Sequence, residues 1–420
     1  MLEDLAAELR VVGRGAGLDA IGFAGAQPFE DTREVLERRR QEGLAATMQF
    51  TYRNPARSTD PSRSLPSAAS LVVGARRYLR QPAPHSTGSA LRDAEMAGSG
   101  EGRALPGGAE DQGGVAARVA RYSWVDHYAP LRAALGAIAD RLNADGWSTR
   151  ILVDDNALVD RAAAHRAGLG WFGRNTNLLL PGAGSWFVLG SVVTDAPLPP
   201  GQPVADGCGP CRRCIPACPT GALSGDGALD ARRCLAWLVQ APGVFPLEHR
   251  QALGDRIYGC DACQEVCPAN RRAARTDPPA GAEPDATPVV DALAMLESSD
   301  EELLSRWGRW YIAERDPRYL RRNALIVIGN AADAGHPRVV KLLRDALSSG
   351  DPLVRSHAVW AAARLGRSEM VAAMTTDADP LVAAEVAATT AVTPRSDGAT
   401  GSVRFWRSKP RLQCSPAPLA

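Results

Sequence analysis

The sequence predicts an α+β fold in three parts: an N-terminal α/β domain over residues 1–200, a cysteine-rich module over 201–272 and helical repeats over 289–392. Three observations predict it. Helical and strand periodicities alternate through the first half of the chain. Eight of the nine cysteines fall between Cys208 and Cys267. Beyond residue 300, Asp-Pro steps recur at the head of Ala- and Leu-rich segments. At 420 residues the chain has room for two or three domains of ordinary size.

The N-terminal elements follow in order. Leu2–Val12 has the spacing of an amphipathic helix, and Ser70–Ala75 (SLVVGA) reads as a buried strand. Residues 81–114 turn to Gly, Ser, Ala, Pro and scattered charge, the composition of a disordered insertion. Leu131–Leu142 is expected as a helix, Arg150–Asp154 as a strand, and Leu158–Ala167 as a helix closed by Gly168 and Gly170. Trp186–Val193 (WFVLGSVV) is a second buried strand. After the cysteines, a Pro/Ala/Asp-rich linker is expected at 273–288, and a disordered Pro/Ser/Arg-rich tail at 393–420.

The composition is that of a globular protein, 45% hydrophobic and 23% charged. Its net charge of +1 means that any polyanion must be held by a local patch. The first residues, Met1 to Leu5, are acidic where a secretory signal is basic, and no apolar run reaches the ~20 residues of a membrane span. The expectation is a cytoplasmic monomer without a membrane partner.

The cysteine spacing carries the chemistry. Cys208-x2-Cys211-x2-Cys214-x3-Cys218-Pro219 is the run of two-cluster ferredoxins, in which the fourth cysteine serves the other cluster. The second run, Cys260-x2-Cys263-x3-Cys267-Pro268, is one cysteine short, and Cys234 supplies the eighth thiolate. Crossing over assigns Cys208, Cys211, Cys214 and Cys267 to one [4Fe–4S] cluster, and Cys218, Cys234, Cys260 and Cys263 to the other. The competing use is a pair of structural zinc sites, but zinc ribbons place separated CxxC knuckles instead of this run. Cys414 stands alone as a tail thiol. Paired clusters move single electrons, so the reaction itself must be found elsewhere in the chain.

Several segments resemble the epoxyqueuosine reductase family of cobalamin-dependent iron–sulfur enzymes. They are VDDNALVDRAAAHRAGLGWFGRNT at 153–176, TDAPLP at 194–199, CGPCRRCIPACPTGAL at 208–223, LDARRC ending at Cys234, GDRIYGCDACQEVCPAN at 254–270 and LRRNALIVIGN at 320–330. The resemblance implies reduction of epoxyqueuosine to queuosine at the wobble position of tRNA. Two electrons and protons remove the epoxide oxygen as water and leave an alkene. It also implies an N-terminal domain that binds cobalamin, clusters that relay electrons from an external donor, and an acid that protonates the departing oxygen. Asp154 falls at the family's acid, which leaves helix capping to Asp155 or Asn156. Arg57, Arg174 and Asn175, together with Asp154, fall at positions expected near cobalamin, and Gly170 and Gly173 suit a loop lying against a flat cofactor. The chain departs from the family pattern at Val125 and Ala129 in RYSWVDHYAP, and in LAWLVQAPGVFP after Cys234.

The C-terminal segments opened by Asp316-Pro317, Asp351-Pro352 and Asp379-Pro380 suit HEAT-like helix pairs. Between Arg306 and Arg355 there are ten Arg or Lys against five Asp or Glu. With the resemblance, this region is expected to bind the tRNA anticodon stem-loop through Arg321, Arg322, Asn323, Lys341 and Arg355. Arg318, Arg338, Arg344 and His357 are further candidates, and Trp307, Trp310 and Tyr311 are available to stack on bases. Two other readings stand beside this one. A reductive-dehalogenase-like enzyme would share the cysteine runs but use a tyrosine acid and lack a basic tail. A pure electron-transfer protein would not need the N-terminal domain.

Overall fold

The computed structural model describes residues 1–79, 81–82, 114–276, 282–283 and 285–389. Almost all of the expected insertion and the whole of the expected tail, Cys414 included, lie outside the described residues.

Four strands form the N-terminal sheet: β1 (Ala20–Gly25), β2 (Ser70–Arg77), β3 (Thr149–Val153) and β4 (Phe187–Thr194). Their spatial order is β1-β2-β4-β3, and every neighbouring pair is antiparallel. The apolar runs in β2 and β4 have the composition of strands covered on both faces. Helices α1 (Leu2–Gly15) and α2 (Tyr128–Ala144) cover one face, where Leu5, Leu9, Leu131, Leu135, Ile138 and Leu142 pack on Val72 and Val192. Helix α3 (Asp160–Arg166) covers the other face, with Ala162, Ala163 and Leu158 against Leu71, Val73 and Leu152. Every element expected in this half is present, with ends shifted by one to three residues.

The cysteine module has few regular elements. One is the four-residue helix α4 (Leu235–Leu238), which starts immediately after Cys234. A three-stranded sheet joins the parts of the chain, with Ala116–Val119 between Arg256–Tyr258 and Val289–Asp291. Two expectations are corrected here. The helix Pro268–Thr276 runs into the expected linker, and the expected start of the helical region at 289 is a strand. The tripeptide Val289–Asp291 pairs with residues 116–118, a partner 171–175 residues away that no local pattern announces.

The helical region is built on α5 (Arg318–Ala331) and α6 (Pro352–Arg364), with Pro337–Leu347 and Pro380–Ala388 packed around them. The Asp-Pro steps are helix starts. Asp316, Asp351 and Asp379 each accept a hydrogen bond from the backbone N–H two residues on, at 2.9, 2.8 and 2.9 Å. This is how a side-chain oxygen satisfies an orphan donor beside a proline that has none.

One ion pair fastens the last helix to the module. The Arg250 guanidinium donates to both Glu385 oxygens at 2.7 and 3.0 Å, with the side chains only 1% and 7% exposed. Removing one partner strands a buried charge. Glu385→Ala is expected to destabilise the fold by about 3–5 kcal/mol, read as a lowered midpoint in thermal unfolding, whereas Lys341→Ala in an exposed pair should leave the midpoint almost unchanged.

Candidate functional site

The eight module cysteines are free thiols, each partly accessible. Electrostatic influence divides them into two sets. Burial raises the Cys214 thiol, and the nearby charges of Cys267, Cys208 and Cys211 add to it. The Cys267 thiol is likewise raised by burial, with Cys208 and Cys211 as its charged neighbours. Burial pushes Cys234 up to about 11, assisted by Cys260 and Cys218. Cys263 is raised well above its ordinary value by burial and then by Cys260, Cys234 and Cys218. For these four thiols the cysteine neighbours fall within the quartet that the crossing-over rule expects.

Among the described residues, no three His, Cys, Asp or Glu side chains converge tightly enough to seat a single metal ion. Desolvated thiols with raised pKa values resist ionising by themselves, and iron would supply the compensating charge. The Ala222 N–H also donates to the Cys218 sulfur at 3.2 Å.

The second cysteine run is pinned to the N-terminal sheet by buried polar contacts. The Gln264 amide donates to the Tyr78 hydroxyl at 3.0 Å and to the Ser185 carbonyl at 3.2 Å. Asn270 donates to Ser185 Oγ at 3.0 Å and accepts from the Ser185 N–H at 2.6 Å. Asp261 accepts from the Arg121 N–H at 2.8 Å.

Asp154 follows the last residue of β3. Its φ of 51° lies in the left-handed region, a strained setting for a residue with a Cβ. It is exposed to solvent and caps no helix. The expected cap is corrected: Asp155 accepts from the Ala157 N–H at 2.9 Å in a turn, and α3 starts at Asp160 without a side-chain cap. Surrounding protein raises the Asp154 pKa by desolvation, Arg132 opposes this, and Asp155 adds to it. Arg132 is held by donating to the Val153 carbonyl at 3.1 Å.

Asp160, Arg132 and Tyr128 are members of this region that sequence reasoning missed. The Asp160 oxygen Oδ1 is buried, with no hydrogen-bond partner among the described residues. Burial raises its pKa well above the usual carboxylate range, and the nearby Asp154 charge adds to this. In sequence, an acid at the first position of an Ala-rich helix looks like an ordinary dipole partner. The half-buried Tyr128 phenol feels Asp154 and Asp160, and Tyr258 feels Asp154. Since Tyr258 lies two residues before Cys260, the acidic corner adjoins the second quartet.

The remaining sequence candidates fare differently. Arg57 is exposed. Arg174 is spent on the module, donating to the carbonyls of Gly225 and Gly209 at 3.1 Å each. Asn175 is buried, and its Nδ2, like the nearby Trp171 Nε1, has no hydrogen-bond partner among the described residues. Gly170 and Gly173 need no cofactor to explain them. A Cβ on either would strike Leu179 of the facing hairpin strand, at 2.0 Å from its carbonyl oxygen and 2.2 Å from its Cδ1.

Five of the expected tRNA contacts are corrected by burial. Arg322, Asn323 and His357 are wholly buried, and Trp307 and Trp310 are 4% exposed. Trp310 stacks on Tyr258 at 4.5 Å and on Trp307 at 4.6 Å, so these rings hold the helical region to the module. Arg321 is bound to Asp300 and the Ser298 carbonyl, Arg338 to Glu297 and Asp291, and Arg355 to Asp377. Arg318 is exposed and pairs with Asp316. Lys341 is exposed beside Asp345, and Arg344 and Tyr311 are exposed too. A helical period cannot say which of two adjacent arginines points inward.

The fold and site together define an oxidoreductase with seats for two clusters beside an acidic corner. The family described as "4Fe-4S double cluster binding domain" matches residues 207–270, and "HEAT repeats" match 310–391. The chain is 32% identical to the epoxyqueuosine reductase of Bacillus cereus over 87% of its own length and 90% of the relative's. It is 32% identical to that of Bacillus subtilis, over 86% and 87%. A crystal structure of epoxyqueuosine reductase with an epoxyqueuosine-modified tRNA-Tyr stem loop superposes with a TM-score of 0.78 at 26% identity, over 93% of this chain and 99% of that one. The Bacillus subtilis enzyme, with an aspartate-bearing catalytic loop swung out of its active site, gives 0.78 at 25% identity, over 93% and 100%. The chain belongs to the epoxyqueuosine reductase family and is an oxidoreductase with a double [4Fe–4S] module and HEAT repeats.

The Asp160 carboxyl supplies a test of the corner. A raised pKa means that the folded state holds a proton which the unfolded state releases above its ordinary value near 3.8. Stability contributed by that proton is therefore lost as pH rises from there. Asp160→Asn should flatten this dependence: between pH 5 and pH 8, wild type loses more stability to urea than the variant does.

Proposed function

We propose that this chain reduces epoxyqueuosine to queuosine at the wobble position of tRNA, with cobalamin as cofactor and Asp154 as proton donor. The carrying observation is the Asp154 carboxyl. It is solvent-accessible on a strained loop, and its pKa is raised by desolvation and by Asp155. Protonation makes an epoxide oxygen a competent leaving group, so an acid that holds its proton nearer to neutrality suits the step. Burial likewise raises the Asp160 carboxyl and the Tyr128 phenol beside it.

The site residues suit cobalamin. The buried Asn175 Nδ2 and Trp171 Nε1 lack acceptors, and the rim of a corrin carries amide carbonyls that would supply them. Asn175, with Asp154 and exposed Arg57, would hold the cofactor. When bound, cobalamin supplies a low-potential metal centre able to deliver electrons to carbon. Arg174 contributes indirectly, by fixing the Gly209 and Gly225 loops of the module against this domain.

The HEAT-like repeats would hold the anticodon stem-loop, as the relative bound to a modified stem loop suggests. Exposed Lys341, Arg344, Arg306 and Arg315 replace the buried residues as candidates for phosphate contact. Electrons would come one at a time from an external donor to a monomeric enzyme.

Asp154→Asn tests the acid. With clusters, cobalamin and tRNA binding retained, the variant should lose about 10²–10⁴-fold in kcat. Wild-type turnover should fall as pH rises through the raised Asp154 pKa, because the donor is then ionised. Unchanged kcat in the variant would remove Asp154 from the reaction.

A further inference from the structure

We propose that Arg322 and Asn323 are positioning residues for the second cysteine quartet, fixing from within the helical repeats the segments that carry Cys234 and Cys260. The inference rests on the reading of Cys234 as a cluster ligand, and it needs neither cobalamin nor the substrate.

Cys234 stands outside both cysteine runs, so no tight motif loop sets its position. It is the N-cap of α4, a helix of one turn. So short a helix leaves its last carbonyls without partners of their own. Arg322 reaches them from α5. Its Nη2 donates to the carbonyls of Leu238 and Val239 at 3.1 and 3.3 Å, and its Nη1 to those of Ala241 and Gly243, at 2.7 Å each. A cation at a helix C-terminus is favoured by the dipole as well as by the bonds.

Asn323 ties this segment to the other run. Its amide donates to the Val239 carbonyl at 2.8 Å and to the Ile257 carbonyl at 3.3 Å. Val239 lies five residues after Cys234, and Ile257 three before Cys260. The Asn323 carbonyl oxygen in turn accepts from Arg322 Nη2 at 2.9 Å. Further along, Asn330 donates to Arg250 and Gly254, and the His357 Nε2 accepts from the Phe245 N–H. The intervening loop is therefore held along its length by α5 and α6. Each donor is buried or partly buried, where a lost partner strands a carbonyl away from water.

The full-length chain, reconstituted anaerobically with iron and sulfide, provides the test. Wild type, Asn323→Ala, Leu343→Ala and Cys234→Ala are compared at a temperature where circular dichroism finds all four folded. Leu343 is buried in the repeats and makes no bond in this seam, so it controls for general loosening. Asn323→Ala is expected to yield half of its iron to a chelator about tenfold faster than wild type, the scale of two lost buried hydrogen bonds. The other half should follow the wild-type rate, and the reduced-state EPR signal should change from an interacting pair to an isolated centre, as in Cys234→Ala. If Asn323→Ala does not fold, Asn323→Asp is measured in its place, since it keeps shape and acceptor but cannot donate to Val239 and Ile257. Wild-type iron release, or loss of both halves together as in Leu343→Ala, would overturn the proposal. Full iron retention in Cys234→Ala would remove the ligand reading, and the proposal with it.

Discussion

Buried polar contacts on both sides of the second cysteine run hold the site together. The run from Cys260 to Cys267 meets the N-terminal sheet through Gln264, Asn270 and Ser185. On its other side, the segments from Leu238 to Ile257 meet the repeats through Arg322, Asn323 and Arg250. The module has little regular structure of its own, so its geometry is borrowed from the two bodies it joins. Polar seams suit this task better than apolar packing, because a buried amide with two named acceptors tolerates one register only. Electron transfer needs fixed distances between centres, and a module that slid against the sheet could not keep them.

The same economy shapes the acidic corner. Asp154, Asp155 and Asp160 are close enough to feel one another, and Arg132 is the cation that opposes ionisation of Asp154. Desolvation and nearby acidic charge raise the Asp154 and Asp160 carboxyls above their ordinary value. The strained backbone at Asp154 keeps its carboxyl out of the turn that Asp155 completes, free of any capping duty. On the proposed reading, Asp154 on its solvent-facing loop, with Tyr258 two residues before Cys260, would join proton supply to electron supply in one place.

Much of this was legible in the sequence, and the limits are instructive. The cysteine runs declared a double [4Fe–4S] module because cluster ligation fixes spacing along the chain. The Asp-Pro steps were readable as helix starts because capping is local. The role of Arg322 was not readable. In LRRN, two arginines one position apart point in different directions, and only the packed helix shows that Arg322 faces the α4 carbonyls. The aromatic triplet misled for the same reason: Trp307 and Trp310 are core, while Tyr311 beside them is 43% exposed. Asp160 escaped notice because its significance is burial, which an acid at a helix start does not advertise. The glycines at 170 and 173 suited a cofactor in sequence but are required by the hairpin they touch.

The central claim is that this scaffold couples two clusters to epoxide reduction on tRNA through a corrinoid. The most direct measurement is nucleoside analysis of epoxyqueuosine-bearing tRNA after anaerobic incubation with the reconstituted enzyme and a strong one-electron reductant, with and without cobalamin. The account predicts queuosine in the complete mixture and none when cobalamin is omitted. Enzyme that carries both clusters and cobalamin yet leaves epoxyqueuosine unchanged, or that forms queuosine equally well without cobalamin, would contradict it.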